Sequence, residues 1–525
     1  MKFRVGKIII LSLLSFIVVI KSVYNYTLFH ANNLPIFDGV LNEKSQILRY
    51  LAFKNNFSLL ERFNQLIYEF EGNPLSPGFG VLIAMLNPSW FANDWDIYIR
   101  AFISILIFSC SIGLYLRNRN FDFKDILLIL CLIFSLPYFY NYRIGISTYI
   151  PELSSGLFLL SGFFLLLTFT STKRLLYYYF GVSLMLLSVI FRYNFFVYIF
   201  FFLIPFIFPV FKIFRSLIMI SKLKMVLFTV FIFLLFGVYI YSHLDFFLNY
   251  YLKPVSFQER SIYLSFRSFF QFCNTEVTVL GLISFILIFI LTNKDNSLSS
   301  KKSFLIYPSI FSFLFLVLYM KALEPHIFEL IVLFTSPLFL IRINYINNHF
   351  KRLPQKYYRV ITVMVIVFLN INFISDTKKT SVKLDEYKVS REVGDYLIKE
   401  NKNLNFLCPY EEIVEIPISV YVYKKTKRWN EASIKFYYHD WNYYDIDKNL
   451  KIKTISDYYL KSIENNLDLI VINKEIHEKM KSYRLAVKIN RIIFNHLNNN
   501  PDFKIVKILK SKFYGDLLFF RKKIQ

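Results

Sequence analysis

The chain has 525 residues, 55% of them hydrophobic and only 18% charged, with a mean hydropathy of +0.44. An ordinary soluble domain carries about a quarter charged residues, and 14 Gly with 16 Pro are too few for a low-complexity or disordered chain. The formal net charge of +25 lies largely in short segments between apolar stretches, which argues against nucleic acid as a partner and for membrane lipids, whose anionic headgroups complement such charge.

A membrane-crossing helix needs about 20 mostly apolar residues, and about eleven such stretches are predicted. They centre near Ser15, Ile107, Ile133, Ser161, Leu184, Phe201, Phe233, Phe285, Phe313, Leu333 and Val365. The first follows a short basic end and reaches about Tyr26 with no small-residue cleavage site after it, so it reads as an uncleaved anchor. The stretch from Ser76 to Trp90 is broken by Pro77, Gly78, Gly80 and Pro88 and reads as a helix lying on the membrane surface.

Charge then sets the orientation. With the N-terminus inside, the inner segments carry Lys2, Arg4 and Lys7, then Arg117, Arg119 and Lys124, then Lys173 and Arg174. The next carries Lys212, Arg215, Lys222 and Lys224, followed by Lys294, Lys301 and Lys302. The last carries Arg342, Lys351, Arg352, Lys356 and Arg359, and the only acids on this side are Asp122, Asp125 and Asp295. Cytoplasmic loops carry such an excess of Lys and Arg. The expected location is the cell (inner or plasma) membrane, with the N-terminus cytoplasmic.

Residues 1–375 are thus expected to form a transmembrane domain with a long first outer loop, 27–97. Residues 376–525 are charged and lack a membrane-length apolar run, so they read as a soluble, extracytoplasmic α/β domain. Helices are predicted over Ser381 to Glu400 and Ile476 to Asn498. Strands are predicted over Asn405 to Cys408, Ile416 to Tyr423, Leu467 to Ile472 and Leu517 to Arg521. Lys504 to Leu509, followed by a turn at Tyr514-Gly515-Asp516, suggests a terminal hairpin.

Among the four cysteines, Cys110 and Cys131 lie in apolar stretches and read as packing residues. Cys273 and Cys408 fall on one side of this topology, which permits a disulfide; no pair has zinc or redox spacing. The seven histidines are scattered without paired spacing, so no required metal or other cofactor is expected.

The unusual polar residues gather on the outer side. Asp38 and Glu43 lie in the first outer loop, and Arg143 and Glu152 in the second. Arg192 lies between two spans, and Lys321, Glu324 and His326 lie at a later outer end. Each alone reads equally as an interface anchor, because long side chains at span ends snorkel to water. Together they would make a carboxylate-containing pocket with several cations, suited to a phosphate or pyrophosphate on a lipid.

The segment Leu34-Pro35-Ile36-Phe37-Asp38-Gly39-Val40-Leu41-Asn42-Glu43 follows the first span. Then come Asn73-Pro74-Leu75-Ser76-Pro77-Gly78-Phe79 and, opening the second span, Tyr98-Ile99-Arg100-Ala101-Phe102. This order resembles the first outer loop of the GT-C class of membrane glycosyltransferases, which includes protein mannosyltransferases and the aminoarabinose transferases of lipid A. There the loop carries an acidic motif, a His-Pro-Pro-Leu-like turn and an Arg at the next span. Arg143 with Tyr149-Ile150-Pro151-Glu152-Leu153, and Lys321 with His326, are similarly placed to later positions of the class. The sequence differs in having Gly39 where a second acid is common, Asn73 for His and Glu152 for the more frequent Asp.

The resemblance implies an inverting transfer of a sugar from a polyprenyl-phosphate donor to a glycan, lipid or protein acceptor. Asp38 would be the base, Glu152 would orient hydroxyls, and Arg143, Arg192 and Lys321 would face the leaving phosphate. Taken alone, Asp38-Gly39 reads as a turn, and His326 after Pro325 reads as an interfacial helix start. The alternative of another class is a transporter or flippase of lipid-linked saccharide, which would favour internal repeats and helices broken at the midplane.

Overall fold

The computed structural model describes residues 5–30, 95–140, 152–192, 195–242, 261–272, 310–319, 388–400, 406–407, 411–428, 467–474, 484–511 and 515–523, with a few isolated positions between them. The chain divides into two compact units. One includes Met1–Leu28 and Ser45–Ser381; the body of the other is Val382–Gln525.

The first unit is helical. In order come α1 (Val5–His30), α2 (Trp95–Arg117), α3 (Phe123–Ile133), α4 (Glu152–Thr172) and α5 (Leu175–Phe191). Then follow α6 (Phe195–Leu203), a 3-10 turn at Ile204–Phe206, α7 (Ile207–Ser216), α8 (Met219–Ser242) and α9 (Ile262–Phe272). Five helical stretches among the described residues are long and apolar enough to cross a membrane: Val5–Asn25, Ile97–Arg117, Leu153–Thr172, Phe195–Ser216 and Met219–Val238. Shorter apolar helices cover Leu175–Val189 and Ile310–Tyr319.

α4 is the axis of this unit. Every residue from Leu153 to Phe169 is buried, so it has no polar face to give to water, the pattern of a helix enclosed by other helices. Hydroxyls beyond its first turn bond back to their own helix: Ser161 Oγ donates to the Leu157 carbonyl at 2.6 Å and Thr168 Oγ1 to that of Phe164 at 2.9 Å. α1 and α8 lie at the periphery. Ile9, Leu13, Phe16, Ile17 and Ile20 of α1, and Leu227, Phe231, Leu234 and Val238 of α8, are exposed. Apolar surface of that extent is stable against lipid and not against water.

The stretch centred near Ile133, predicted as a span, is only partly α-helical. It forms an α-helix of only 11 residues that ends at Ile133, about 16 Å of rise against a hydrocarbon core of about 30 Å. A turn and a 3-10 segment, Pro137–Tyr140, follow; the proline has no N–H with which to continue the ladder. The stretches centred near Phe285 and Leu333, the Ser76 to Trp90 segment, Cys273 and Cys408 lie outside the described residues. Cys110 and Cys131 are free thiols.

The second unit contains α10 (Lys388–Lys399), β1 (Phe406–Leu407), α11 (Glu411–Thr426), β2 (Leu469–Asn473), α12 (Arg484–Asn499), β3 (Phe503–Ser511) and β4 (Gly515–Lys522). The sheet order is β1-β2-β4-β3. β1 pairs parallel with β2, and β4 runs antiparallel to both β2 and β3. Alternation along the strands sorts the faces: Leu469, Val471, Leu517 and Phe519 pack with Val393, Leu397, Ile418 and Val422 of α10 and α11. The opposite register presents Phe520, whose ring meets Phe494 of α12 at 6.5 Å. Arg521 ties β4 to the end of α10 through Glu400, 3.1 Å away. The terminal hairpin expected from the sequence is β3–β4, with Lys504, Lys507 and Lys510 on its outer strand, where charge discourages edge-to-edge association.

Ile416 to Tyr423 is a correction. It reads as a strand but lies within helix α11. Ile418 and Val422, one helical turn apart, are both buried against α10. The helix stops where Lys427, at φ 58°, donates its N–H to the Tyr423 carbonyl at 2.7 Å. Tertiary burial of one helical stripe outweighs the strand preference of a β-branched run.

Candidate functional site

α2 and α3 are antiparallel, joined by a tight turn in which Phe121 N–H donates to the Leu116 carbonyl at 3.2 Å. α1 runs beside α3. Lys7 Nζ sits 5.0 Å from the Phe123 ring at one end, and Ser22 Oγ and Asn25 Nδ2 donate to the Phe139 and Tyr140 carbonyls at the other. Ile146 N–H donates to the Phe139 carbonyl at 3.1 Å. Six residues later α4 begins, a reach of at most about 20 Å, so α4 starts at the end where α3 stops. This end, where α2 and α4 begin and α3 and α5 finish, is called the upper end below.

Two arginines are buried there. Arg100, in the second turn of α2, is 2% exposed, and Arg192, just past α5, is 6% exposed. Arg192 is fixed by its backbone: its N–H donates to the Ser188 carbonyl, and its own carbonyl accepts from Phe195 N–H, both at 3.0 Å. The extended conformation at Arg192, φ −153° and ψ 110°, turns the chain from α5 into α6.

The heights of these residues follow from glycine packing. A Cβ on Gly162 of α4 would stand 2.5 Å from the Gly181 carbonyl oxygen of α5, so the two backbones touch there. Counting upward at about 1.5 Å per residue, Glu152 stands roughly 15 Å and Arg192 roughly 16 Å above that contact. On α2, Phe108 and Tyr115 straddle Phe164 of α4, with ring centroids 6.4 and 5.3 Å away. By the same count Arg100 and Glu152 each stand about 18 Å above this level. Arg100, Glu152 and Arg192, from three helices, therefore share one height.

Further polar groups sit at this end. Ser154 and Ser155, in the first turn of α4, are buried, as is Ser147; their hydroxyls have no hydrogen-bond partner. Lys21 of α1 lies 3.9 Å from the centroid of the Tyr140 ring. Buried hydroxyls cost free energy until a partner reaches them. The arrangement gathers cationic side chains and hydroxyl donors at one end of the helical unit.

Of the residues singled out in the sequence, the structure places Glu152 and Arg192 at one level. Asp38, Glu43, Arg143, Lys321 and His326 lie outside the described residues. Arg100 and Lys21 were not among the sequence-derived candidates. Arg100 stood in plain view in the Tyr98-Ile99-Arg100-Ala101-Phe102 segment, and Lys21 is a cation in an otherwise apolar run; neither spacing reports burial or a ring contact. Among the described residues no group of three or more His, Cys, Asp or Glu is gathered as metal ligands would be.

No protein-family model matches the chain. Comparison with curated proteins likewise returns no match.

Proposed function

We propose that the chain is a membrane glycosyltransferase that moves a sugar from a polyprenyl-phosphate donor to a glycan, lipid or protein acceptor. The observation that carries this reading is the shared height of buried Arg100, buried Arg192 and Glu152 at the upper end. Guanidinium groups held away from water recognise phosphate by forked, charge-assisted hydrogen bonds. A lipid-borne phosphate reaches such a site from the bilayer without leaving it.

In the proposed reaction the acceptor oxygen attacks the anomeric carbon from the face opposite the phosphate. The new carbon–oxygen bond forms as the bond from that carbon to the phosphate oxygen breaks, inverting the centre. The hydroxyl proton passes to a carboxylate, assigned to Asp38, because an alcohol is too weak an acid to lose it beforehand. The leaving phosphate takes the bonding pair, and Arg192 and Arg100, with Arg143 and Lys321, offset its growing charge. Glu152, Ser154 and Ser155 orient sugar hydroxyls. Glu43 and His326 are assigned to the edge of the donor site.

The test is label transfer from a panel of radiolabelled polyprenyl-phosphate sugars by membranes holding equal amounts of wild type, Asp38→Asn or Glu152→Gln. Asp38→Asn is expected to lose about 100-fold or more in rate, the usual worth of a general base. Wild-type rates in Asp38→Asn would remove that residue from the chemistry.

A transporter or flippase is the second reading, and one observation favours it. The 3-10 turn Ile204–Phe206 interrupts the Phe195–Ser216 span, and broken helices are a habit of transporters. α4 argues the other way, since it runs unbroken for 21 residues through the centre of its unit.

A further inference from the structure

The end opposite the candidate site carries a second feature, independent of sugar transfer. Between Glu152 and Asp245 the sequence has no acidic residue at all. Within that stretch two turns, about 40 residues apart, bring cations to the same place. One is the α4–α5 turn with Lys173 and Arg174; the other is the α7–α8 elbow with Lys212, Arg215, Lys222 and Lys224.

Packing of α5 on α8 sets their relation. Tyr178 Oη and Thr229 Oγ1 share a hydrogen bond of 2.9 Å, and the Tyr179 and Phe228 rings meet at 4.5 Å. Counting down from the Tyr178–Thr229 contact, Arg174 lies about 6 Å and Lys224 about 7.5 Å lower, on neighbouring helices. Lys222 lies about 3 Å lower still. The six cations are exposed or half-exposed, and among the described residues none of them forms an ion pair.

The backbone under them is held firmly. Lys173 takes φ 58°, and its N–H caps α4 on the Phe169 carbonyl at 2.7 Å. Ile213 and Met225 anchor the elbow in the core, while Phe208, Phe211, Ile218 and Met219 beside the cations stay exposed. Arg215 lies 4.4 Å from the Phe211 ring centroid and Lys222 6.0 Å from that of Phe214. Cations ringed by exposed apolar side chains match the boundary where headgroup phosphates meet acyl chains.

We propose that Lys173, Arg174, Lys212, Arg215, Lys222 and Lys224 form a binding site for anionic phospholipid headgroups in the leaflet at this end. The partner is a lipid rather than a soluble anion, because the exposed aromatic and aliphatic side chains would otherwise face water. Each cation near an anionic surface is worth about fivefold in affinity, so the cluster selects strongly against zwitterionic lipid.

The test is native mass spectrometry of the full chain in detergent with equal phosphatidylglycerol and phosphatidylcholine. Wild type is expected to retain phosphatidylglycerol at least about tenfold over phosphatidylcholine. The variant Lys173→Gln, Arg174→Gln, Lys222→Gln, Lys224→Gln should lose most of that preference, whereas neutralising Lys504, Lys507 and Lys510 of β3 should leave it intact. Lys173→Gly guards against misfolding: glycine accepts the left-handed backbone without strain, so this variant should melt no lower than wild type and still show a reduced preference. Wild-type preference in the fourfold variant, or an equal loss from the β3 substitutions, would overturn the proposal.

Discussion

Gly162 of α4 and Gly181 of α5 meet backbone to backbone: the Gly181 carbonyl oxygen lies 2.5 Å from where a Cβ on Gly162 would stand, and Met185 Cγ is equally close. This contact sets the axial register of the two helices, and through it the common height of Glu152 and Arg192. A larger residue must push the pair apart. Gly162→Leu is expected to destabilise the helical unit by about 3 kcal/mol or more and Gly162→Ala by about 1–3 kcal/mol. Thermal unfolding in detergent, followed by thiol labelling of the partly buried Cys110 and Cys131, checks both values.

Asp125 and Arg359 join elements 234 positions apart. Arg359 Nε donates to Asp125 Oδ1 at 2.9 Å, and Asp125 is largely buried. Asp122 approaches Arg359 only to 3.8 Å, with its side chain 74% exposed. Asp125→Asn should therefore cost about 1–3 kcal/mol, whereas Asp122→Asn should change stability by less than about 1 kcal/mol. The same melting experiment compares them. Both carboxylates and the guanidinium belong to segments that the charge pattern assigns to the inner side.

Arg192→Lys keeps the charge of the proposed phosphate site but loses the planar fork. The expected result is a KM for donor raised about 10- to 100-fold, matching the roughly 1.5–3 kcal/mol of a hydrogen bond to a charged group. A purely structural role would lower the melting temperature and leave KM unchanged, so the two are measured on the same preparation.

In the second unit, Tyr421 Oη donates to Asp395 at 2.8 Å, and its ring lies against Gly394. Burial, then the Asp395 hydrogen bond and charge, push the phenol up to about 12. The folded value is above the unfolded one, so the contribution to stability is complete below about pH 10 and fades as pH rises toward 12. Wild type should lose more stability than Tyr421→Phe between these limits. Melting curves of the full chain at pH 9 and pH 11 would show parallel losses if the hydrogen bond contributed nothing.

How far the sequence spoke depended on the signal each element carried. Long apolar runs announced α1, α2, α4 and α8, because lipid asks only for length and hydropathy. Alternation announced β2 and β4, whose two faces pack against different helices. The same alternation misled at Ile416 to Tyr423, where Ile418 and Val422 obey a helical period that the surrounding β-branched residues conceal. Near Ile133 hydropathy continued while the helix did not, since hydropathy is blind to the missing N–H of Pro137. At the candidate site, Arg192 was legible as a cation at a span end. The burial of Arg100 depends on how α2 packs on α4, and no local pattern in the sequence encodes that.

The most direct measurement of the central claim separates transfer from transport. Purified wild-type chain is sealed into vesicles with radiolabelled polyprenyl-phosphate sugars and candidate acceptors, and both product formation and movement of donor between leaflets are followed. The account predicts label in the acceptor with inversion at the anomeric carbon, at a rate that collapses in Asp38→Asn. Donor crossing the bilayer with its sugar–phosphate bond intact, and no product with any acceptor, would contradict it and establish the flippase reading instead.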